Sequence, residues 1–251
     1  MNSSPTALIL AGGMGNRLAA IHPDTPKPLL PVAGQPFLYW LVSWLRSQNF
    51  SDFVFAAGHK GEQIEKWLNE SSLMRGATWR FHREEKPLGT GGAVRACLSL
   101  CHENLAVING DSLIITPLKP LFDEMVNPEI TGIILGNPVE DASRYGTLQS
   151  GPDGFLTGFH DKQPGRGVIS AGITFLRRVA LEGFPSGVTL SMESDIMPRL
   201  ISGGAKIKLR EVDAATPFID IGTPESLQTS DAFIEAHLMP IIGGVGTSKI
   251  V

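Results

Sequence analysis

The sequence predicts an α/β fold in which a mainly parallel central sheet is flanked by helices. In the first half of the chain, short apolar runs alternate with segments whose apolar residues recur at helical spacing, the pattern of strand–helix–strand units. From Ile130 onward, closely spaced strand-like runs are separated by Gly, Pro and Asp, which is more typical of antiparallel pairing. The 251 residues are 42% hydrophobic, enough to bury a substantial core.

Each element of the first half follows from its own pattern. Apolar runs predict strands at Thr6–Leu10, Phe53–Ala57, Trp79–His82 and Leu105–Asn109. Apolar residues spaced three and four apart predict helices at Phe37–Gln48, Lys60–Asn69 and Gly91–Cys101. The aromatic residues of the first of these helices are expected to pack in the core.

The second half is predicted to contain more strands than helices. The strands expected are Ile130–Gly136, Gly146–Gln149, Phe155–His160, Val168–Leu176, Lys206–Arg210 and a short one ending at Asp220. The helices expected are Glu193–Ile201 and Pro224–His237. No linker divides the chain, so we expect one domain over residues 1–240, followed by a mobile tail over residues 241–251.

Composition argues against several classes of partner. The formal net charge is −4 and the basic residues are scattered, which argues against nucleic acid and anionic membranes as partners. No apolar run has the length of a membrane span, and no basic segment precedes the first apolar run, so a cytoplasmic protein is expected. Partners are expected to be small anions, and a homo-oligomer is compatible with the sequence.

Cysteine and histidine do not predict a metal centre or a nucleophilic triad. Cys97 and Cys101 lie four residues apart with His102 adjacent, and reduced thiols are favoured over zinc because a structural zinc site usually takes four ligands from paired motifs. The six histidines show no Ser/His/Asp or Cys/His pattern.

A glycine-rich turn follows the first predicted strand. Residues 11–18 read Ala-Gly-Gly-Met-Gly-Asn-Arg-Leu. Glycines let backbone N–H groups approach an anion closely, and Arg17 and Lys27 can supply the charge that a triphosphate needs. The dinucleotide fingerprint is not met because Leu18 stands where its third glycine would be, and no Gly-Lys-Ser/Thr occurs for a P-loop. The turn therefore predicts a phosphate site of another type.

Two carboxylates are predicted to follow short apolar runs. Asp111 comes just after the strand that ends at Asn109, and Asp220 ends a short run before a helix. Carboxyl ends of strands are where open α/β sheets bind ligands, and Mg²⁺ is usually held by one or two carboxylates with phosphate oxygens. A turn residue at Asp111 and a helix-start residue at Asp220 are the alternatives.

The glycine turn, followed by Pro-Lys-Pro-Leu-Leu-Pro-Val over residues 26–32, resembles the signature of the sugar-nucleotidyltransferase family. The resemblance extends to the segments 84–92, 109–111, 144–147, 161–162, 170–173 and 218–225, and so covers most of the chain. It implies a Rossmann-like three-layer sandwich with a mixed, mainly parallel central sheet, of the nucleotide-diphospho-sugar transferase type.

The resemblance also implies a role for individual residues. It gives nucleotide binding to Leu10, Ala11, Gly12, Gly13, Gly15, Asn16, Arg17, Lys27, Glu84, Pro87, Gly89, Thr90, Asn109 and Gly110. It gives sugar-phosphate binding to Gly146, Asp161, Lys162, Gly172 and Glu193, catalysis to Arg17, Lys27, Asp111 and Asp220, and Mg²⁺ binding to Asp111 and Asp220.

The expected substrates are a nucleoside triphosphate, with GTP favoured, and a sugar 1-phosphate. The Pro-Leu-Gly-Thr-Gly-Gly loop is most similar to guanylyltransferases that act on heptose 1-phosphate, with mannose 1-phosphate next, and UTP or dTTP enzymes as further alternatives. Glu84 could accept hydrogen bonds from both N1–H and the amino group of guanine. Ser170 stands where Asn is common, and residues 160–163 depart from the usual Glu-Lys-Pro, which leaves the sugar open.

The expected reaction is attack of the sugar phosphate on the α-phosphorus, releasing pyrophosphate. Arg17 and the glycine amides would hold the β and γ phosphates, Lys27 the reacting centre and Lys162 the incoming phosphate. A phosphate monoester is ionised at neutral pH, so no general base is needed. A non-catalytic sugar-nucleotide sensor and a Rossmann oxidoreductase are the alternatives of other classes.

Overall fold

The computed structural model describes residues 4–13, 18 and 21–243. In this part of the chain the strands are β1 (Thr6–Leu10), β2 (Pro31–Val32), β3 (Gln35–Pro36), β4 (Asp52–Ala57), β5 (Thr78–Arg83), β6 (Asn104–Asn109), β7 (Ser112–Ile114), β8 (Gly132–Val139), β9 (Thr147–Ser150), β10 (Leu156–His160), β11 (Gly167–Arg177), β12 (Ile207–Glu211) and β13 (Phe218–Asp220).

The α-helices are α1 (Phe37–Ser47), α2 (Gly61–Glu70), α3 (Gly89–Cys97), α4 (Lys119–Glu124), α5 (Val179–Glu182), α6 (Met197–Ser202), α7 (Pro224–Phe233) and α8 (Met239–Ile242). Short 3₁₀ turns lie at Lys27–Leu29, Ser72–Met74 and Leu98–Leu100, and π-helical turns at Met192–Ile196 and Ile234–Leu238.

The central sheet is mixed, as the sequence predicts. Within the described residues it has nine strands, in the order β10-β9-β11-β6-β1-β4-β5, with β8 also paired to β11 and β12 paired to β8. Strands β6, β1, β4 and β5 are parallel, whereas β11 is antiparallel to both β6 and β8. The carboxyl ends of the four parallel strands therefore meet at one edge of the sheet.

Two apolar cores lie on opposite faces of this sheet. The side chains of β1 alternate between them, since Ala7 and Ile9 belong to one core and Leu8 to the other. The first core packs α1 and the C-terminal helices against the sheet, and the second packs α3, α6 and the turn before α6. The resulting helix–sheet–helix arrangement is the predicted three-layer α/β sandwich.

Some elements differ from the sequence prediction. The segment Lys119–Glu124 is helical although no element was predicted there, and the predicted helix Glu193–Ile201 divides into a π-helical turn and α6. Helix α8 extends to Ile242, two residues into the segment predicted to be a tail, and residues 244–251 lie outside the described part of the chain. Within that part, no helix combines the length and the apolar character that a membrane crossing needs.

Close packing at the β8–β11 pair gives a prediction about stability. A Cβ atom on Gly132 would lie 2.7 Å from the Phe175 carbonyl oxygen, whereas a Cβ atom on Gly158 in β10 would meet nothing within 4 Å. We expect Gly132→Ala to lower the free energy of unfolding by about 1–3 kcal/mol, since backbone must move. Gly158→Ala is the matched control and should stay within about 0.5 kcal/mol of wild type in urea denaturation. Equal stability of the two variants would contradict the packing.

Candidate active site

Two cavities open side by side at the carboxyl edge of the parallel strands. The larger, of about 610 Å³, is lined by the ends of β1, β4 and β5 and by the start of α3; the smaller, of about 250 Å³, lies over β6, β8 and β11. Predicted site residues that line the larger cavity are Leu10, Gly12, Gly13, Glu84, Pro87, Gly89 and Thr90. Those that line the smaller one are Leu10, Thr90, Asn109, Gly172 and Glu193. Leu10 and Thr90 therefore border both cavities.

The described part of the glycine turn lies against the end of β4. The Ala11 N–H donates to the Ala56 carbonyl at 2.7 Å and Ala11 is buried, so this amide serves the fold. A Cβ atom on Gly12 would lie 2.7 Å from Glu84 Oε1 and 3.1 Å from the Gly58 amide nitrogen, so a larger residue would displace the Glu84 carboxylate. Gly15, Asn16 and Arg17 lie outside the described residues.

Glu84 both borders the larger cavity and holds the loop that follows it. Its N–H donates to the Ala57 carbonyl at 2.9 Å, and its Oε2 accepts the Leu88 N–H at 3.0 Å. The other carboxylate oxygen of Glu84, Oε1, accepts no hydrogen bond from the described residues. The pairing of both carboxylate oxygens with guanine, expected from the sequence, would thus have to share Oε2 with Leu88.

The glycines of the Pro-Leu-Gly-Thr-Gly-Gly loop allow contact with a distant segment of the chain. Gly89 has φ +68°, and a Cβ atom there would lie 2.6 Å from the Leu190 carbonyl oxygen. That same oxygen accepts the N–H groups of Gly91 at 2.8 Å and Gly92 at 3.1 Å. Sequence reasoning assigned the loop to the nucleotide and missed this contact, because no local pattern connects it to residue 190.

The two predicted metal ligands come together on a pair of short strands. Strand β7 begins directly after Asp111 and pairs antiparallel with β13, which places Asp220 opposite Ser112. The Ile221 N–H also donates to the Asp111 carbonyl at 2.9 Å. The structure thus brings Asp111 and Asp220 to one place, which favours the metal-ligand hypothesis over two unrelated turn residues.

Lys27 forms an ion pair with one of these carboxylates and lies near the other. Its Nζ is 2.5 Å from Asp111 Oδ2, and its side chain is only 14% exposed. A Cβ atom on Gly222 would lie 2.5 Å from Asp220 Oδ1 and 3.5 Å from Lys27 Nζ, so both groups lie beside this glycine. Because a largely buried ammonium group is costly without an anionic partner, the ion pair with Asp111 stabilises Lys27 in this position.

Asp220 has three further partners, two of which lie in the segment 144–147 that contributes to the family resemblance. The Tyr145 hydroxyl donates to Oδ2, while Arg144 Nη2 lies 3.4 Å from Oδ1 and the Gly222 N–H donates to Oδ1 at 2.8 Å. Burial and the bond to Asp220 hold the pKa of Tyr145 well above its usual range. The Arg-Tyr-Gly-Thr motif at residues 144–147 indicated that this segment belongs to the site. Its contact with Asp220 could not be predicted from the sequence.

The sugar-side residues divide into two groups. Gly172 has φ +79° and packs against Asn109, while a Cβ atom on Gly146 would lie 3.9 Å from Glu193 Oε2. Asp161 and Lys162 instead lie exposed in the loop between β10 and β11, and neither borders the two cavities. The structure therefore places Gly172 and Glu193 at the smaller cavity with Gly146 close to Glu193, whereas Asp161 and Lys162 line neither cavity.

The cysteines are unbridged and buried. Cys101 Sγ lies 3.3 Å from the Cys97 carbonyl oxygen, and burial raises the pKa of Cys101 to about 12 and that of Cys97 further. Both thiols are thus protonated at neutral pH.

Comparison with known proteins places this site in a family. A model described as nucleotidyl transferase matches residues 6–237. The chain belongs to the nucleotidyl transferase family. The family expected from the glycine turn and the residues 26–32 is thereby confirmed.

Individual members of the nucleotidyl transferase family cover nearly the whole chain. It is 27% identical to the D-glycero-α-D-manno-heptose 1-phosphate guanylyltransferase of Aneurinibacillus thermoaerophilus, over 92% of this chain and 99% of that protein. It is 30% identical to the enzyme of the same name from Campylobacter jejuni, over 87% and 95%. A crystal structure of HddC from Yersinia pseudotuberculosis complexed with GMP-PN is similar with a TM-score of 0.80 and 28% identity, over 91% and 99%. The predicted fold class is likewise confirmed.

The Tyr145–Asp220 contact predicts a tyrosine that stays protonated at high pH. A raised folded-state pKa means that the phenol favours folding below about pH 10, where an unfolded tyrosine ionises, and that this contribution is lost as pH rises toward the folded pKa. We expect the rise in absorbance at 295 nm near pH 10 to have the same amplitude in wild type and in Tyr145→Phe. Circular dichroism confirms folding at each pH. A smaller amplitude in the variant would show that Tyr145 ionises normally and contradict the contact.

Proposed function

We propose that this nucleotidyltransferase transfers GMP from GTP to D-glycero-α-D-manno-heptose 1-phosphate and releases pyrophosphate. The observation that carries the proposal is the Lys27–Asp111 ion pair, which lies close to Asp220 at the carboxyl edge of the sheet, where two adjoining cavities share Leu10 and Thr90. The choice of base and sugar rests on the names of the Aneurinibacillus and Campylobacter relatives. A GTP-consuming reaction also favours a cytoplasmic location.

In this proposal the larger cavity takes the nucleotide and the smaller one the sugar. The larger cavity adjoins the glycine turn and carries the cationic side chains of Lys60, Arg83 and Lys86 at its wall, which suits a polyanion. The smaller cavity carries Asn109, Ser170 and Glu193, whose polar groups suit sugar hydroxyls. Gly146 and Gly172 would let the backbone approach the sugar ring.

The chain's own residues would position two anions and neutralise charge. The attacking oxygen is already ionised, so the barrier falls through orientation and through cations placed where charge develops. Lys27 would stabilise the triphosphate at the reacting centre, Arg17 the β and γ phosphates, and Lys162 the incoming phosphate. Lys162 is exposed, so its side chain would have to be recruited from the loop after β10.

The carboxylate pair fits Mg²⁺. Within the described residues no three His, Cys, Asp or Glu side chains form a closed metal cage, but Mg²⁺ needs only one or two carboxylates when substrate phosphates complete its shell. Asp111 and Asp220 supply hard oxygen ligands on paired strands. Bound there, the ion would act as a Lewis acid and template for the phosphates.

A substrate matrix tests the proposal. Pyrophosphate release is measured for GTP, ATP, UTP and dTTP against heptose, mannose and glucose 1-phosphates. We expect the highest kcat/KM for GTP with the heptose 1-phosphate and no release in excess EDTA. Preference for another combination of nucleoside triphosphate and sugar 1-phosphate would contradict the assignment of guanine or of heptose. Turnover in EDTA would contradict only the assignment of the metal.

Substituting the carboxylates tests their assignment to the metal. Asp111→Asn and Asp220→Asn each remove a charged ligand, and we expect kcat/KM to fall on the order of 100-fold. Asp123→Asn is the control, because Asp123 pairs with Lys119 on the exposed helix α4 and should leave turnover unchanged. Near wild-type turnover of either site variant at limiting Mg²⁺ would show that its carboxylate is structural.

A further inference from the structure

Thr90 connects the two cavities through a hydrogen bond. Its side chain borders both, and its Oγ1 accepts the Met192 N–H at 2.9 Å. Met192 begins the π-helical turn that carries Glu193, and both residues line the smaller cavity. We call this contact the Thr90–Met192 bridge.

The bridge is part of a rigid junction between the loop at residues 88–92 and the segment at residues 188–192. The Leu190 N–H donates to the Leu88 carbonyl at 2.9 Å, and the Leu190 carbonyl accepts from Gly91 and Gly92. A Cβ atom on Gly92 would lie 2.5 Å from the Val188 carbonyl oxygen, so the backbones are in contact. Displacement of one segment therefore displaces the other.

The same junction reaches the wall of the larger cavity. Glu84 Oε2 accepts the Leu88 N–H, and the Leu88 carbonyl accepts the Leu190 N–H. Hydrogen bonds thus connect Glu84, which borders the larger cavity, to Leu88 and Leu190, and the chain continues from Leu190 through Met192, held by Thr90, to Glu193, which borders the smaller cavity. Thr90 is the only side chain among them, within the described residues, that lines both.

We propose that Thr90 is a positioning residue that couples occupancy of the two cavities; this inference rests on the proposed function. Thr90 is exposed in the open cleft, and as a β-branched residue it has few χ1 rotamers. A nucleotide packed against it would favour the rotamer that holds Met192, and Met192 in turn sets the position of Glu193. The nucleotide then raises the affinity for the sugar phosphate, and the sugar phosphate raises the affinity for the nucleotide by the same factor.

Calorimetry tests the coupling without turnover. The heptose 1-phosphate is titrated into the protein with Mg²⁺, with and without a saturating GTP analogue that has a methylene bridge between the α and β phosphorus atoms. We expect the analogue to tighten sugar-phosphate binding in wild type by about tenfold, a typical coupling. In Thr90→Val, the ratio of sugar-phosphate affinities with and without the analogue should fall to within twofold of one. In Thr90→Ser, which keeps a hydroxyl group, this ratio should return to the wild-type value.

A matched control separates coupling from general disturbance of the junction. Thr189 Oγ1 donates to the Pro87 carbonyl at 3.1 Å between the same two segments but borders neither cavity. Thr189→Val should keep the wild-type ratio. If Thr90→Val does not fold by circular dichroism, Thr90→Ala serves in its place.

The outcomes distinguish this inference from the proposed function. The coupling is overturned if the GTP analogue leaves sugar-phosphate affinity unchanged in wild type. It is also overturned if the ratio of affinities with and without the analogue is unchanged in the Thr90 variant, or if it falls equally in the Thr189 variant. Each of these results counts even when wild type turns over GTP and heptose 1-phosphate. Absence of wild-type turnover with every pair in the substrate matrix overturns the proposed function instead.

Discussion

The close approach of β1 and β6 is the constraint on which the site depends. The Gly110 N–H donates to the Leu10 carbonyl at 2.9 Å, and a Cβ atom on Gly110 would lie 2.6 Å from that oxygen. Because glycine stands there, Asp111 leaves β6 directly beside the start of the glycine turn. The two cavities then share Leu10 as a common wall. A larger residue would separate the strand ends and with them the two halves of the site.

Much of the fold could be predicted because its signals are local. The strand Thr6–Leu10 agrees with β1, and the predicted helix Phe37–Gln48 ends one residue beyond α1, since an apolar run and helical spacing are properties of short segments. The division at Glu193–Ile201 was not predictable in this way. There the chain must form both the π-helical turn that presents Glu193 and the contact with Thr90, and these depend on a segment far away in sequence.

The residue types of the candidate site could be proposed from the sequence, whereas the contacts between them could not. Asp111 and Asp220 were recognised because each follows an apolar run, yet their proximity depends on the pairing of β7 with β13. Glu84 was read as a free acceptor, although one oxygen holds Leu88. Asp161 and Lys162 matched a motif but lie on an exposed loop, where sequence specifies side-chain type and leaves position to the rest of the fold.

The two carboxylates differ in how firmly they are held, and this asymmetry suits a site that must admit and release phosphates. Asp220 is 13% exposed and receives hydrogen bonds from Tyr145 and the Gly222 amide, with Arg144 beside it. Asp111 is 35% exposed and is held chiefly by Lys27. A second anion competes with Asp111 for the charge of Lys27. Lys27 could therefore turn toward a substrate phosphate and leave Asp111 available as a ligand of Mg²⁺. Asp220 would keep its place, because no substrate needs to break its contacts. In the proposed reaction, Asp220 would therefore fix the geometry and Asp111 would exchange partners with the substrate.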